Sequence, residues 1–316
     1  MRKFPKPIVF CSKCLGFDKC RWNSVTLPNK EVEKLKKHVK FITACPEVEI
    51  GLGVPRKPIR VVKEKGKRML YQPAIEKDYS EKMMKFTDKF LNSLGEIDGF
   101  ILKNRSPSCG LNDVKEYQGI NKDIRPKKGH GFFGGEVLKR FNGLAIEDEG
   151  RLNSYCLREN FLIKLFTLTD FREMKKSKKV KDLVDFHTKN KLLFMAYSQQ
   201  KNKELGRIVS NLKQKEVFER YEKKMKELLS KGPSERSWIN VLMHAFGSVS
   251  KHLDKEEKKY FLDTLEEYRD ERVSLLVMLK LIESYALRNK NKHLLEQTFL
   301  NLYPKDLIEI GTCLSK

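Results

Sequence analysis

Three cysteines stand where short apolar runs give way to loops: Cys14 in Cys-Ser-Lys-Cys-Leu-Gly, Cys45 in Thr-Ala-Cys-Pro-Glu and Cys109 in Ser-Pro-Ser-Cys-Gly. If those runs are strands lying side by side, the three thiols meet at one rim, and three thiolates suit a metal centre with a coordination position left open. Two oxygen-bearing groups accompany them, Glu47 just after Cys45 and Ser106 just before Cys109. A carboxylate beside an open metal position can activate water or relay a proton. The spacing leaves a second reading open, in which Glu47 forms a salt bridge and Ser106 a turn hydrogen bond before Pro107.

The elements that must position these residues read as βαβ units. Pro7 to Cys11, Phe41 to Ala44, Ile59 to Val62 and Gly99 to Leu102 are apolar or β-branched, and polar helical stretches such as Pro28 to Lys40 and Asp78 to Leu94 separate them. In an open parallel sheet, ligands bind beyond the carboxyl ends of the strands, where Cys14, Cys45 and Cys109 fall. From about Cys156 the strand signals stop. Helical spacing runs through Leu183 to Tyr197, Val217 to Leu229, Trp238 to Leu253 and Val273 to Leu287. The expectation is an α/β N-terminal domain, Rossmann-like with a mostly parallel sheet, over residues 1–175, then an all-α helical domain over 176–316. The lysine run from Lys175 to Lys181 marks the junction.

With 316 residues and 40% hydrophobic content the chain can bury two cores. No apolar run is long enough to cross a bilayer and no secretory core opens the sequence, so a cytoplasmic protein without a membrane partner is expected. Seven cysteines without a secretory signal point to metal or catalytic use rather than a disulfide framework. Sixty-five Lys and Arg against 42 Asp and Glu give a net charge of +23, shared by both halves of the chain. Such an excess favours nucleic acid through phosphate contacts, or is simply solvated surface.

Ligand count separates zinc from iron-sulfur binding. Cys11 and Cys14 form one knuckle, but Cys45 and Cys109 have no knuckle partners, so a zinc ribbon does not form. Cys11 as a fourth ligand would close the site. Cys11 turned into the strand interior leaves a three-cysteine cluster with one open iron, the preferred form. Cys20, Cys156 and Cys313 have no obvious companions and read as packing residues. Gly129-His-Gly-Phe-Phe-Gly-Gly135 ahead of the helical Glu136 to Phe141 offers either phosphate-binding N–H groups or a plain glycine turn around His130.

Longer segments carry a family likeness. Ser12-Lys-Cys14-Leu-Gly16 with Cys20-Arg21-Trp22-Asn23, then Cys45-Pro-Glu-Val-Glu-Ile-Gly-Leu-Gly-Val-Pro-Arg56, Gly99 through Gly110, Glu147 through Asn153 and Leu157 through Phe161 resemble the thiouracil desulfurase (TudS) family over roughly the first 170 residues. Phe186 through Ala196, Leu205-Gly-Arg207, Asn240 through His244 and Glu267-Tyr-Arg269 are similar to the helical domain fused to many of its members. Such fusions resemble RudS-type enzymes, which remove sulfur from 4-thiouridine in tRNA.

The resemblance implies a 4Fe-4S cluster held by Cys14, Cys45 and Cys109 with one open iron, and Glu47 and Ser106 as the catalytic pair. It implies a non-redox C–S bond-hydrolysing desulfidase that converts thiolated uracil to the oxo base and sulfide, with tRNA as partner. Arg21 and Ser108 are candidate substrate contacts. Lys63, Lys65, Lys67, Arg68 and the Lys175 to Lys181 run are candidate phosphate contacts. His187 and Lys191, on one helix face, either touch RNA or form a packing pair. Free thiouracil, thiolated nucleotides, or a cluster-bearing RNA sensor without turnover are the alternatives. The chain departs from the family pattern at Cys14-Leu-Gly, where relatives carry a second Leu, and at Trp22-Asn23 in place of Tyr-Asp. Nothing in the sequence identifies the acceptor of sulfide.

Overall fold

A computed structural model describes residues 2–120, 125–211 and 216–309, so Cys313 lies outside the described residues. The chain divides into two compact units, residues 6–161 and residues 1–5 with 162–316. The division falls inside the helix Tyr155–Lys175, whereas the lysine run lies at that helix's far end.

The first unit is built on two sheets. Strands β1 (Ile8–Ser12), β2 (Lys40–Ala44), β6 (Gly99–Leu102) and β9 (Ala145–Asp148) form a parallel sheet in the order β2-β1-β6-β9. β1 and β6 are apolar and buried throughout or nearly so, as strands covered on both faces must be. The order places β1 where the chain turns first to one neighbour, β2, and later to the other, β6. The crevice at such a reversal is where open α/β sheets bind ligands.

Ile59 to Val62 departs from the expected single sheet. Its last three residues open β3 (Arg60–Glu64), which pairs antiparallel with β4 (Lys67–Gln72) and parallel with β7 (Val114–Gln118). β5 (Lys77–Asp78) and β8 (Lys127–Gly129) complete this second, five-stranded sheet. The cause is local: Lys65 and Gly66 both take positive φ, +47° and +80°, and close a tight hairpin. Lys-Gly between two β-branched or apolar runs is the signal for it.

Among the helices, α1 (Lys30–Leu35) starts at Asn29, whose side chain accepts from the N–H groups of Glu31 and Val32. A short α2 (Pro46–Glu49) follows Cys45. In α3 (Ser80–Ser93), Met83, Thr87 and Leu91 recur at helical spacing on the buried side. Together with α4 (Phe132–Arg140) it closes an aromatic core around Phe10, Phe100 and Phe133, the ring of Phe10 lying 5.2 Å from that of Phe133.

In the second unit the described residues beyond α5 (Tyr155–Lys175) are α6 (Val180–Tyr197), α7 (Gln199–Ser210), α8 (Val217–Leu228), α9 (Glu235–Gly247), α10 (Lys255–Arg269), α11 (Leu275–Arg288) and α12 (Lys292–Leu295), with short 3-10 turns. The helical expectation is met. A polar seam runs through the core: Thr298 Oγ1 donates to Asn190 Oδ1 at 2.7 Å, Asn190 Nδ2 to the Phe186 carbonyl at 2.8 Å, and Gln297 Nε2 to the Thr188 carbonyl at 2.9 Å. No helix among the described residues is long and apolar enough to cross a membrane.

Candidate active site

Beyond the carboxyl ends of β1, β2 and β6 lies a cavity of about 380 Å³. Cys14, Cys20, Cys45 and Cys109 all line it, together with Glu47, Arg56, Ser106 and Ser108. Cys11 does not. Side chains alternate along a strand, so Cys11 faces away from Phe10 and Ser12, fully buried, and only Ser12 looks into the cavity.

Cys20 is the residue that sequence reasoning set aside. It is 4% exposed and lines the cavity beside Cys14 and Cys45, and the Cys45 Sγ donates to its carbonyl at 3.6 Å. Nothing in a strand-end pattern predicts it, because it reaches the rim along the loop that follows Cys14. The Cys20 thiol pKa is pushed up to about 11, chiefly by its hydrogen bond with Cys14. Burial lifts Cys109 to about 12, and its contact with Cys20 raises Cys45 further still. The thiols of Cys20, Cys45 and Cys109 are therefore raised toward their neutral form, and the field of a bound metal is what would ionise them.

Among the described residues no three His, Cys, Asp or Glu side chains converge on a point fit for a single ion. The thiols ring a space instead. A cluster takes each thiolate on a different metal atom, so soft donors distributed around a cavity suit a polynuclear iron-sulfur group. Cys14, Cys45 and Cys109, 8%, partly and 5% exposed, are among the thiols that could hold it.

Glu47 forms the salt bridge and Ser106 the turn hydrogen bonds of the second reading, in side chains that also line the cavity. Arg56, 4% exposed in its side chain, grips Glu47 Oε2 through Nε at 3.0 Å and Nη2 at 2.8 Å. Its Nη1 also donates to the carbonyls of Cys20 and Gly53 at 3.0 and 2.9 Å. The other carboxylate oxygen, Oε1, accepts from Ser108 Oγ at 2.8 Å and lies 3.4 Å from Ser106 Oγ. The two hydroxyls are 2.9 Å apart, and Ser106 Oγ accepts from the N–H groups of Ser108 and Cys109 at 3.3 and 3.1 Å. Each hydroxyl has one proton, so with Ser108 donating to Glu47, Ser106 donates either to Ser108 or to the same Glu47 oxygen. Ser108, expected only as a substrate contact, is the link between the other two and is 1% exposed.

The glycine motif holds this loop in place. Gly131 N–H donates to the Gly110 carbonyl at 2.8 Å, Phe132 to Pro107 at 3.1 Å, and Phe133 and Gly134 both to Ser108 at 2.9 Å. These N–H groups are thus already bonded rather than turned to a phosphate. A Cβ on Gly131 would lie 2.3 Å from the Ser108 carbonyl oxygen, and one on Gly134 2.4 Å from that of Cys109. Only glycine permits that approach. His130 contributes its carbonyl, which accepts from Arg68.

At the mouth, Arg21 and Arg105 line the cavity and Trp22 is 45% exposed. Several proposed phosphate contacts are otherwise engaged: Arg68 pairs with Glu116 at 2.9 Å, and Lys175 with Glu219 and Glu222 at 3.1 and 3.0 Å. Lys63, Lys65, Lys178, Lys179 and Lys181 are exposed. His187 Nδ1 meets the Tyr221 hydroxyl at 3.0 Å inside the helical unit, which favours the packing reading, while Lys191 is exposed.

The site is thus a thiol-lined cavity at the switch of strand order in a parallel sheet. The family model for 2-thiouracil desulfurase matches residues 9–149, and that of a family of unknown function, DUF1722, matches residues 191–304. The chain belongs to the 2-thiouracil desulfurase family, with a DUF1722 region following. It is 33% identical over 110 residues to the uncharacterized protein YbbK of Bacillus subtilis, a match covering 33% of this chain and 73% of that protein. It is 28% identical over 159 residues to the uncharacterized protein YbgA of Escherichia coli, covering 49% of this chain and 94% of that one. A solved structure described as a [4Fe-4S]-dependent thiouracil desulfidase, TudS, is similar at 23% identity with a TM-score of 0.36, covering 47% of this chain and 93% of that one.

Proposed function

We propose that this protein is a 4Fe-4S-dependent desulfidase that removes sulfur from thiolated uracil, with 4-thiouridine in tRNA as its substrate. The observation that carries the reading is the run Ser106, Ser108, Glu47, Arg56 opening onto the same cavity as the thiols of Cys14, Cys45 and Cys109. When bound, a cluster with one iron free of the three cysteines would supply a soft Lewis acid for a thiocarbonyl sulfur.

The chain's own residues account for the rest. Arg56 grips Glu47 Oε2 with two N–H groups and so fixes its Oε1 toward the serines. Glu47 takes a proton from the water that adds to the ring carbon. The Ser106–Ser108 pair returns a proton to the departing sulfur. Water oxygen replaces sulfur, giving the oxo base and hydrogen sulfide, with no net electron transfer.

The tRNA substrate is supported by the net charge of +23, the exposed lysines, and the cationic and indole side chains at the cavity mouth. A base within folded RNA must leave its stack to enter such a cavity, at a cost of a few kcal/mol that backbone contacts offset. Free thiouracil is the second reading, favoured by the description of the matched family.

The test is anaerobic reconstitution of the full chain, incubation with thiolated tRNA and separately with 2-thiouracil, and nucleoside mass spectrometry. Loss of 4-thiouridine from tRNA is expected. Its persistence with a full cluster rejects the tRNA substrate; turnover of thiouracil alone selects the second reading. RNA affinity that follows cluster state without turnover of either marks a sensor.

A further inference from the structure

Four thiols, one more than the proposed cluster uses, face a single cavity. Cys20 is the extra one. It is a fixed part of the wall: its carbonyl is held by Arg56 Nη1 at 3.0 Å, the arginine that also holds Glu47, and accepts from Cys45 Sγ at 3.6 Å, while its side chain lines the cavity with Cys14, Cys45 and Cys109. The next residue but one, Trp22, has its carbonyl bonded to the N–H of Arg56 at 2.9 Å, so the backbone of the Cys20 segment is pinned to Arg56 at two points. Cys11, by contrast, is fully buried on the opposite face of β1 and cannot serve.

We propose that Cys20 is a fourth thiolate donor of this centre, capping the iron that Cys14, Cys45 and Cys109 leave free until substrate sulfur takes its place. This rests on the cluster reading above. Binding forms an Fe–Sγ bond as the thiol proton leaves to solvent. Arrival of the thiocarbonyl breaks that bond and the thiolate recovers a proton, so no oxidant or reductant is required. Cys20 is a soft donor matched to iron, and capping keeps water and oxygen from the reactive position between turnovers.

Mild oxidation separates the possibilities, because an iron without a protein ligand is the one a cluster loses, leaving a 3Fe-4S form visible by electron paramagnetic resonance. The full-length wild-type protein and its Cys20→Ala and Cys20→Ser variants are reconstituted anaerobically, counted for iron and sulfide, then titrated with ferricyanide. Wild type is expected to keep all its iron while both variants lose one iron and show the 3Fe-4S signal. Iodoacetamide footprinting of wild type alone gives a second readout: Cys20 is expected to be protected in the cluster-loaded protein relative to the cluster-free protein.

Equal loss of one iron from wild type and variants, or equal retention by all, overturns the assignment of Cys20 and leaves the proposed function standing. Alkylation of Cys20 at the same rate with and without cluster overturns it without reference to how the variants fold. Failure of the wild type to take up iron and sulfide at all overturns the cluster reading itself.

Discussion

At the strand ends of the α/β unit, Arg56, Glu47, Ser108 and Ser106 bond to one another with one side open to a cavity. In the helical unit, Thr298 bonds to Asn190, Gln297 to the Thr188 carbonyl and His187 to Tyr221, but between packed helices. Both networks are satisfied, as buried polar groups must be. The difference lies in what surrounds them. An acid, a base and two hydroxyls facing open space among thiols can act on a guest, whereas amides and hydroxyls enclosed by helices fix which helix lies on which.

The comparison breaks most directly at Glu47. Glu47→Gln keeps the shape and the hydrogen bond from Ser108 but gives up proton acceptance. A fall in kcat of about 10²- to 10⁴-fold with iron content unchanged is expected. If the variant turns over at the wild-type rate, the open network is as passive as the closed one.

Arg56 sharpens it in energy. Removing one partner of a buried ion pair leaves the other uncompensated, so Arg56→Met should lower the stability of the α/β unit by about 3–5 kcal/mol in denaturant unfolding. The double variant Arg56→Met with Glu47→Leu should recover much of that loss. A single variant as stable as wild type would mean that solvent already screens the pair.

Gly134→Ala tests the support beneath the open network. Its added Cβ would fall 2.4 Å from the Cys109 carbonyl oxygen, so the loop bearing Ser106, Ser108 and Cys109 must move. We expect about 1–3 kcal/mol of destabilisation together with weaker cluster retention on gel filtration. In the closed network, Thr298→Val should cost a similar 1–3 kcal/mol by stranding Asn190 Oδ1, with iron uptake untouched. Parallel loss of iron in both variants would erase the distinction.

How far the sequence revealed this follows from which forces bring residues together. Cys14, Cys45 and Cys109 were legible because parallel strands end on one side, and Cys11 could be set aside because it ends an apolar run, where a buried cysteine is ordinary packing. The helical half was legible from its periodicity. Ile59 to Val62 misled because an apolar run does not announce its partner; the Lys65-Gly66 turn after it did. Cys20 and Arg56 were out of reach, since loop paths after β1 and α2 bring them to the cavity. Ser108 was named, but its place between Ser106 and Glu47 depends on a tight turn: Arg105 just before it takes φ of +54°, with its N–H bonded to Asp113 Oδ1 at 3.0 Å.

The smallest effect tests the closed network by pH. His187 is held against Tyr221, and burial, reinforced by the charge of Lys191, lowers its pKa to about 4. In the unfolded chain the imidazole titrates near its ordinary value of about 6.5, so the unfolded state binds the proton first as pH falls. Stability is therefore fully present above about pH 6.5 and declines as pH drops from there toward 4, by on the order of 1–3 kcal/mol in the helical unit. His187→Asn retains a polar partner for Tyr221 and cannot titrate in that range, so its unfolding midpoint should change less with pH than that of wild type. A variant whose midpoint follows the wild-type curve throughout would place the acid sensitivity elsewhere, and His187 would then be a solvated rather than an enclosed member of its network.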